Sequence, residues 1–289
     1  MHSFDFVEPE TLAEAIGHLD PDDTTIRPMG GATALMLMMK AGVFKPTKLV
    51  SLRKIEKKYS EISVSPGVLH FGALTSLAAL ERSGPVRKHA PLLSETLVTL
   101  ANVRVRNMAT VGGALAHGDP HMDLPPVLMA LGATMKILGP DGLRSLAVED
   151  LFAGYYETVL KCGELIAEVE LPEQGAQRGA YLKVTTGSAD DWPALGVAAV
   201  VTVDGGIVTS ARLIVSAATN KATRLHDAEQ NLIGTVADEA TLEKVSEAAI
   251  NACEFIADVR GSVPYKRELV RVYMKRAVRR VVHNSGLAS

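Results

Sequence analysis

The chain has 289 residues, of which 47% are hydrophobic and 22% charged, and its formal net charge is −3. This length and composition are typical of a globular protein with two or three compact lobes, and the weakly negative charge argues against a general nucleic-acid binder. Only Cys162 and Cys253 occur, so the chain lacks both a disulfide framework and the four thiolates of an iron–sulfur cluster, and any redox centre it holds alone is expected to be organic.

Residues 1–58 show the pattern of a small α/β lobe. Apolar residues spaced three and four apart predict a helix over residues 8–19, and a strand is expected over 24–29. Gly30-Gly31 then begins an apolar helix that runs from Thr33 to Lys40, and a buried strand follows at 49–52. No basic and apolar leader opens the chain, and no apolar run approaches the roughly 20 residues of a membrane span, so we expect a soluble, cytoplasmic protein.

A second lobe is predicted over residues 59–175. It begins with a hairpin that turns at Ser65-Pro66-Gly67, and a second hairpin turns at residues 139–142. Residues 110–123 show no clear periodicity and predict an irregular segment. The predicted strands are 59–64, 68–71, 133–138, 143–148 and 165–171, and the predicted helices are 75–82, 91–101 and 126–131.

The polar, glycine-containing stretch 172–179 predicts a linker to a third unit, which spans residues 176–289. Strands are expected at 180–186, 195–203 and 207–217, followed by three helices. The last helix carries several Lys and Arg residues on one side. This pattern predicts a solvated cationic face, and the alternative is a partner surface.

Two glycine pairs are the features best suited to bind an anion. Gly30-Gly31 ends a predicted strand where a helix starts, so free backbone N–H groups and the positive helix end would face an anionic group. Gly112-Gly113 follows Thr110-Val111, and the missing Cβ atoms would let a ligand approach the backbone. Each pair alone is more typical of a turn or bulge, and neither has the spacing of a Rossmann or P-loop fingerprint.

The segment 117–123 holds a candidate metal set of two histidines and two aspartates, His117, Asp119, His121 and Asp123. Four ligands from one short run rarely converge on one ion, so a ligand-binding loop is preferred and no metal is predicted. Neither cysteine has a nearby histidine, and the chain contains no nucleophile elbow. We therefore predict no catalytic acid, base or nucleophile.

Three segments resemble the FAD-binding medium subunit of the molybdenum hydroxylases, the family of xanthine dehydrogenase and aerobic carbon monoxide dehydrogenase. They are RPMGGATAL at 27–35, RNMATVGGALAHGDPHMDLP at 106–125 and DVRGSVPYKR at 258–267, in the family's order and spacing. The resemblance covers essentially the whole chain. It implies an α+β fold, in which a two-lobed FAD-binding domain of the vanillyl-alcohol-oxidase type precedes a C-terminal domain of three antiparallel strands and three helices.

By position, the resemblance also implies the FAD contacts. They are Pro28, Met29, Gly30, Gly31, Ala32, Thr33, Ala34, Thr110, Val111, Gly112, Gly113, Ala114, Asp123 and Lys183. The two loops would surround the phosphates and ribityl chain, Asp123 would contact a flavin hydroxyl, and Lys183 would lie near the flavin unless it is an ordinary surface lysine. Met29, residues 32–34 and Ala114 depart from the family's usual loops, so an altered FAD affinity or potential is expected.

Finally, the resemblance implies an assembly. Substrate would be hydroxylated at a molybdenum cofactor on a large subunit, and electrons would pass through two [2Fe-2S] clusters of a small subunit to the FAD of this chain and then to an external acceptor. The expected assembly is a dimer of heterotrimers, with no nucleic-acid partner. The alternatives are a stand-alone FAD oxidoreductase and a structural subunit without FAD.

Overall fold

The first sheet of the structure, a computed structural model that describes residues 3–283, is parallel and has three strands. Its elements are β1 (Asp5–Val7), α1 (Leu12–Gly17), β2 (Ile26–Met29), α2 (Thr33–Lys40) and β3 (Lys48–Ser51). β3 lies between the other two strands, and Met29 pairs with Ser51 at one end of the sheet. The predicted strands and helices of this lobe are confirmed, whereas β1 was not predicted because it is too short to show a period.

The second sheet is antiparallel and has the order β4-β5-β10-β6-β7. The strands of this region are β4 (Ile62–Ser65), β5 (Val68–Gly72), β6 (Thr134–Gly139), β7 (Gly142–Ala147), β8 (Phe152–Gly154), β9 (Glu157–Thr158) and β10 (Leu165–Pro172). β8 and β9 pair with each other in a small separate hairpin. Both predicted hairpins are therefore confirmed, and β10 joins them into one sheet.

Six short helices accompany this sheet and share a core with it. They are α3 (Leu77–Arg82), α4 (Gly84–His89), α5 (Pro91–Thr99), α6 (Val103–Met108), α7 (Val111–Ala116) and α8 (Leu124–Ala130). The prediction of an irregular segment over residues 110–123 was wrong, because α7 occupies its first half. Two glycines lower the intrinsic helix propensity there, but the Thr110 hydroxyl caps the helix by accepting from the N–H of Gly113.

The third sheet is antiparallel, with strands in sequence order, and three helices pack on it. The elements are β11 (Arg178–Val184), β12 (Leu195–Asp204), β13 (Ile207–Ser216), β14 (Thr223–Arg224), α9 (His226–Leu232), α10 (Glu239–Ala252) and α11 (Val263–His283). Alternate residues of β12 enter two cores. Val197 packs with the C-terminal helices, whereas Ala198 joins the core of the second lobe. β12 is thus buried on both faces, which explains its continuous apolar sequence.

The basic side of α11 is not simply a solvated face, as the sequence predicted. Lys275 Nζ lies 2.6 Å from Glu243 of α10, and Arg279 pairs with Glu239 of the same helix. Arg271 also lies near Glu243, at 3.6 Å. Part of the cationic face of α11 therefore forms ion pairs with α10. Within residues 3–283, no helix combines the length and the apolar character that crossing a membrane requires.

Candidate functional site

The two glycine segments predicted from sequence meet in the structure. A Cβ atom on Gly31 would overlap the carbonyl group of Met108, and one on Gly30 would lie 2.8 Å from Oγ1 of Thr110. The end of β2 therefore packs directly against the turn that precedes α7. Only residues without a side chain allow this approach at positions 30 and 31, so both glycines are required to bring the loops together.

The first loop presents backbone donors that the protein does not use. Among the described residues, no protein group accepts a hydrogen bond from the N–H of Gly30, Gly31 or Ala32, and all three residues are partly accessible. Ala32 has a left-handed backbone (φ 56°) and stands immediately before α2. Free N–H groups at the positive end of a helix suit an anionic group such as a phosphate.

The second loop has a different character, because its N–H groups are already bonded. Val111 donates to the carbonyl of Thr75 at 3.0 Å, Gly112 to that of Ala73 at 2.7 Å, and Gly113 to the Thr110 hydroxyl at 3.2 Å. A Cβ on Gly112 would lie 2.8 Å from Cβ of Ala73. This glycine therefore permits a close approach of the protein's own backbone at Ala73, and a contact between Gly112 and FAD stays a prediction.

The remaining predicted loop residues divide between open and buried positions. Thr33 and Ala34 begin α2 and are partly accessible, as are Pro28 and Met29 at the end of β2. Val111 and Ala114 belong to the core of the second lobe, where they are 0% and 5% exposed. Their side chains contribute to packing, and a contact between either residue and FAD stays a prediction.

Asp123 and Lys183, which the sequence placed near the cofactor separately, form one buried cluster. Lys183 Nζ donates to Oδ2 of Asp123 at 2.8 Å and to the carbonyl of Thr99 at 3.1 Å, while the Tyr181 hydroxyl donates to Oδ1 of Asp123 at 2.6 Å. Sequence reasoning missed Tyr181. It stands two residues before Lys183 on β11, and the two-residue period of a strand gives both side chains the same face.

Burial governs the electrostatics of this cluster. It raises the pKa of Asp123, although Lys183 and Tyr181 both favour the ionised carboxylate. Burial and the neighbouring carboxylate together raise the pKa of Tyr181 well above its ordinary value, so its hydroxyl remains a donor. Asp123 thus has a fixed direction and a charged partner, which suits it to hold a ligand hydroxyl.

A second buried network lies two residues earlier on the same loop. His121 Nδ1 is 2.8 Å from Asp119 Oδ1, and His121 Nε2 is 2.8 Å from Asp258 Oδ2. Lys266, which is fully buried, donates to Asp258 Oδ2 at 2.9 Å and to the carbonyl of Ala217 at 2.9 Å. The segment 258–267 of the family resemblance therefore contacts the segment 106–125. Spacing along the chain does not reveal this contact.

One further cluster has metal-ligand chemistry, on the sheet of the second lobe. His70, Glu168 and Glu170 offer ligand atoms within 4.8 Å of one another. Lys136 Nζ lies 2.9 Å from Glu168 and 2.6 Å from Glu170, so an ammonium group already supplies the counter-charge. The prediction that the chain binds no metal stays a prediction.

The hydrogen-bonding groups of the site fit an extended, anionic cofactor that also carries hydroxyl groups. The first loop offers N–H donors to a phosphate, and the buried carboxylate of Asp123 offers an acceptor to a hydroxyl. A dinucleotide such as FAD has both kinds of group. The arrangement gives positions for binding. A hydroxyl and an imidazole do meet on the second sheet, where Ser65 Oγ lies 2.7 Å from His70 Nε2, but neither residue belongs to the glycine loops or to the Asp123 cluster.

Comparison with known proteins places the chain in a family. Residues 2–174 match the model of the FAD-binding domain in molybdopterin dehydrogenase, and residues 180–281 match that of the CO dehydrogenase flavoprotein C-terminal domain. The chain is 30% identical over 278 residues to the glyceraldehyde dehydrogenase medium chain of Sulfolobus acidocaldarius, covering 96% of this chain and 98% of that one. It is equally similar, at 30% identity and 96% coverage of both chains, to the carbon monoxide dehydrogenase medium chain of Afipia carboxidovorans.

The structural comparison agrees over the full length. A chain of the reconstituted CO dehydrogenase from Oligotropha carboxidovorans superposes with a TM-score of 0.94 at 30% identity, and the match covers 98% of this chain and 99% of the other. This overlap confirms the predicted fold class, in which the FAD-binding domain precedes a C-terminal domain with antiparallel strands and three helices. The C-terminal sheet has one additional short strand, β14.

Proposed function

Since this chain belongs to the FAD-binding medium subunits of the molybdenum hydroxylases, we propose that it accepts electrons from the [2Fe-2S] clusters of a small subunit and passes them to an external acceptor. It is an FAD-binding flavoprotein subunit of an oxidoreductase. Bound FAD supplies the redox chemistry, because a flavin exchanges electrons both singly and in pairs. The protein supplies the position and the electrostatic surroundings of that flavin.

The observation that carries this proposal is the group of unused N–H donors at Gly30, Gly31 and Ala32 beside the start of α2. A pyrophosphate at this loop would accept from these donors and meet the positive end of the helix. Asp123, with Lys183 and Tyr181 behind it, would hold a hydroxyl of the cofactor. The rest of the predicted contact set, from Pro28 to Ala34 and from Thr110 to Ala114, belongs to the same proposal.

We propose the boundaries 1–58 and 59–175 for the two FAD-binding lobes and 176–289 for the C-terminal domain. Each region contains its own sheet, and the first two bring their glycine segments together at the proposed cofactor loop. The third region contributes Lys183 and Tyr181. On this proposal, all three regions contribute residues to the cofactor site.

The proposed assembly contains a large subunit with the molybdenum cofactor and a small [2Fe-2S] subunit, arranged as a dimer of heterotrimers in the cytoplasm. Relatives that are themselves named medium chains or medium subunits support the existence of such partners. Cys162 and Cys253 are both free thiols, as expected in a reducing compartment.

The test compares the full chain alone with the chain co-expressed with its partners. The isolated chain is loaded with FAD and mixed anaerobically with candidate aldehyde, heteroaromatic and carbon monoxide substrates, and the flavin absorbance is followed. We expect no bleaching in the isolated chain and rapid bleaching in the assembly with its own substrate. Bleaching of the isolated chain by a substrate would contradict the proposal and identify a stand-alone oxidoreductase, and an assembly purified without flavin would identify a structural subunit.

A further inference from the structure

The loop at residues 117–123 is bonded at its start to α7, where His117 and Gly118 donate to Gly113 and Leu115, and its later residues are bonded by groups that follow it in the chain. The carbonyl of Pro120 accepts from the N–H of Ala217 at 2.9 Å, and Asp123 is bonded by Tyr181 and Lys183 of β11. His121 adds a third attachment through Asp258. The proposed hydroxyl-binding carboxylate stands directly before the buried helix α8 and depends for part of its position on the C-terminal domain.

His121 is the most specific of these attachments because of its hydrogen-bond partners. Its side chain is 4% exposed, and each ring nitrogen faces a carboxylate oxygen at 2.8 Å. An ionised carboxylate has no proton to donate, so it can only accept hydrogen bonds. An imidazole ring placed between two such carboxylates must therefore donate from both of its nitrogens. A neutral ring has a single N–H and would leave one of these contacts as a repulsion between lone pairs.

Both carboxylates are held in the ionised form. Burial opposes ionisation of Asp258, but hydrogen bonds from Lys266, His121 and the backbone of Arg260 outweigh it and lower the Asp258 pKa to about 2. At Asp119 burial is likewise outweighed by the hydrogen bonds from His121, and the pKa is lowered. Lys266, which is fully buried, and Arg260, at 4.0 Å, face Asp258, and among the described residues a protonated His121 is the one cation that contacts both carboxylates directly.

From this geometry we infer that His121 is a buried imidazolium ion and a positioning residue, which fixes the loop that carries Asp123 on the C-terminal domain and so holds the FAD site in its binding geometry. The inference rests on the proposed role of Asp123 toward FAD. Asp119 and Asp258 are the two anionic partners of the ring, and Lys266 is the second counter-ion of Asp258. Arg260 Nη1 lies farther from this carboxylate, at 4.0 Å.

The chain offers a matched control for substitution of this residue. His70 Nδ1 also lies close to two carboxylates, Glu168 at 3.2 Å and Glu170 at 3.5 Å, but its partners are on strands of the second sheet and none belongs to the loop at 117–123. The experiment measures the FAD dissociation constant of the full chain for the wild type, His121→Gln and His70→Gln. We expect about tenfold weaker binding in His121→Gln, because a hydrogen bond between charged groups is lost, and no change in His70→Gln.

Two additional variants separate this inference from the proposed FAD site. Asp123→Asn tests the site itself, and unchanged FAD affinity in that variant would overturn both. Weakened binding in Asp123→Asn with unchanged binding in His121→Gln would overturn the positioning role alone. If His121→Gln does not fold, Asp258→Asn replaces it, since the amide keeps the shape of the carboxylate while it removes the charge. Several-fold weaker FAD binding is then expected, and wild-type affinity would overturn the inference.

Nitrogen NMR of the histidine-labelled wild-type chain at neutral pH tests the protonation state directly. The signals of His121 are assigned by their disappearance in His121→Gln, or by their shift in Asp258→Asn. We expect two ring N–H protons that exchange slowly with water. A ring with one bare nitrogen would overturn the imidazolium assignment, whatever the FAD affinities show.

Discussion

Lys183 Nζ lies 2.8 Å from Oδ2 of Asp123, and the two side chains are only 8% and 6% exposed. Removing one member of a buried ion pair leaves the other charge without compensation. We predict that Lys183→Met lowers the free energy of unfolding by about 3 kcal/mol and weakens FAD binding. Urea denaturation and FAD titration measure the two effects. The double variant Lys183→Met/Asp123→Asn should recover part of the stability, and a loss as large as in the single variant would contradict this explanation.

The contact between the glycine loops gives a second prediction. Gly31→Ala places a methyl group against the carbonyl of Met108, so one loop must shift and FAD content should fall sharply in the purified protein. Gly17→Ala is the control, because Gly17 ends α1 and a Cβ there meets nothing within 4 Å. Flavin absorbance relative to protein absorbance gives the occupancy. Full occupancy in Gly31→Ala would show that the loops need not touch.

The buried ammonium group of Lys266 gives a third prediction. Lys266→Met leaves Asp258 beside His121 without its second cation, and the free energy of unfolding should decrease by about 3 to 5 kcal/mol. Lys244→Met is the control, since Lys244 is exposed on α10 and its loss should change stability by less than about 0.5 kcal/mol. Thermal or urea unfolding of both variants measures the difference. Equal stabilities would mean that the internal ion network contributes little.

Acid unfolding gives a fourth prediction, through Asp258. Its pKa in the folded protein is about 2, below the ordinary value of 3.8. A carboxylate with a lowered pKa stabilises the fold above the ordinary value and loses that contribution as the pH falls from 3.8 toward about 2. Stability of the wild type should therefore decrease over this window, and Asp258→Asn should show a flatter profile. Parallel profiles in the two proteins would contradict the assignment.

Most of the fold could be predicted because the longer helices and strands show a clear periodicity of apolar residues. The strand pairs around residues 139–142 and 204–206 and the helix after Gly31 are examples, in which turn residues separate apolar stretches. The missed elements are short or contain weak helix formers. β1 has three residues, and α7 begins with two glycines after Val111, so its stability comes from the Thr110 cap and from packing rather than from propensity.

The sequence could predict only those site residues that a local pattern or motif marks. The glycine pair at 30–31 was identified from its place between a strand and a helix, whereas Asp123 and Lys183 were assigned from the family resemblance, and the structure brings the latter two together. Tyr181 and Lys266 were not assigned a role, because their partners lie in distant parts of the chain and no local pattern shows that a lysine is fully buried. At Gly112 the sequence did not reveal the packing partner, because Ala73, which a Cβ there would touch, lies 39 residues earlier in the chain.

The attachment of the loop at 117–123 to later residues also constrains the order of events during synthesis. Asp123 is separated from Lys183 by 60 residues, and His121 from Asp258 by 137. At a translation rate of about 5–20 residues per second, the loop waits on the order of ten seconds for its last partner to leave the ribosome. A nascent chain that has completed both glycine segments therefore still lacks the side chains that fix Asp123. On the proposed site, cofactor capture in the final geometry follows folding of the C-terminal domain, and a chain truncated before residue 258 would keep Gly30 and Gly31 but lack Asp258 and Lys266.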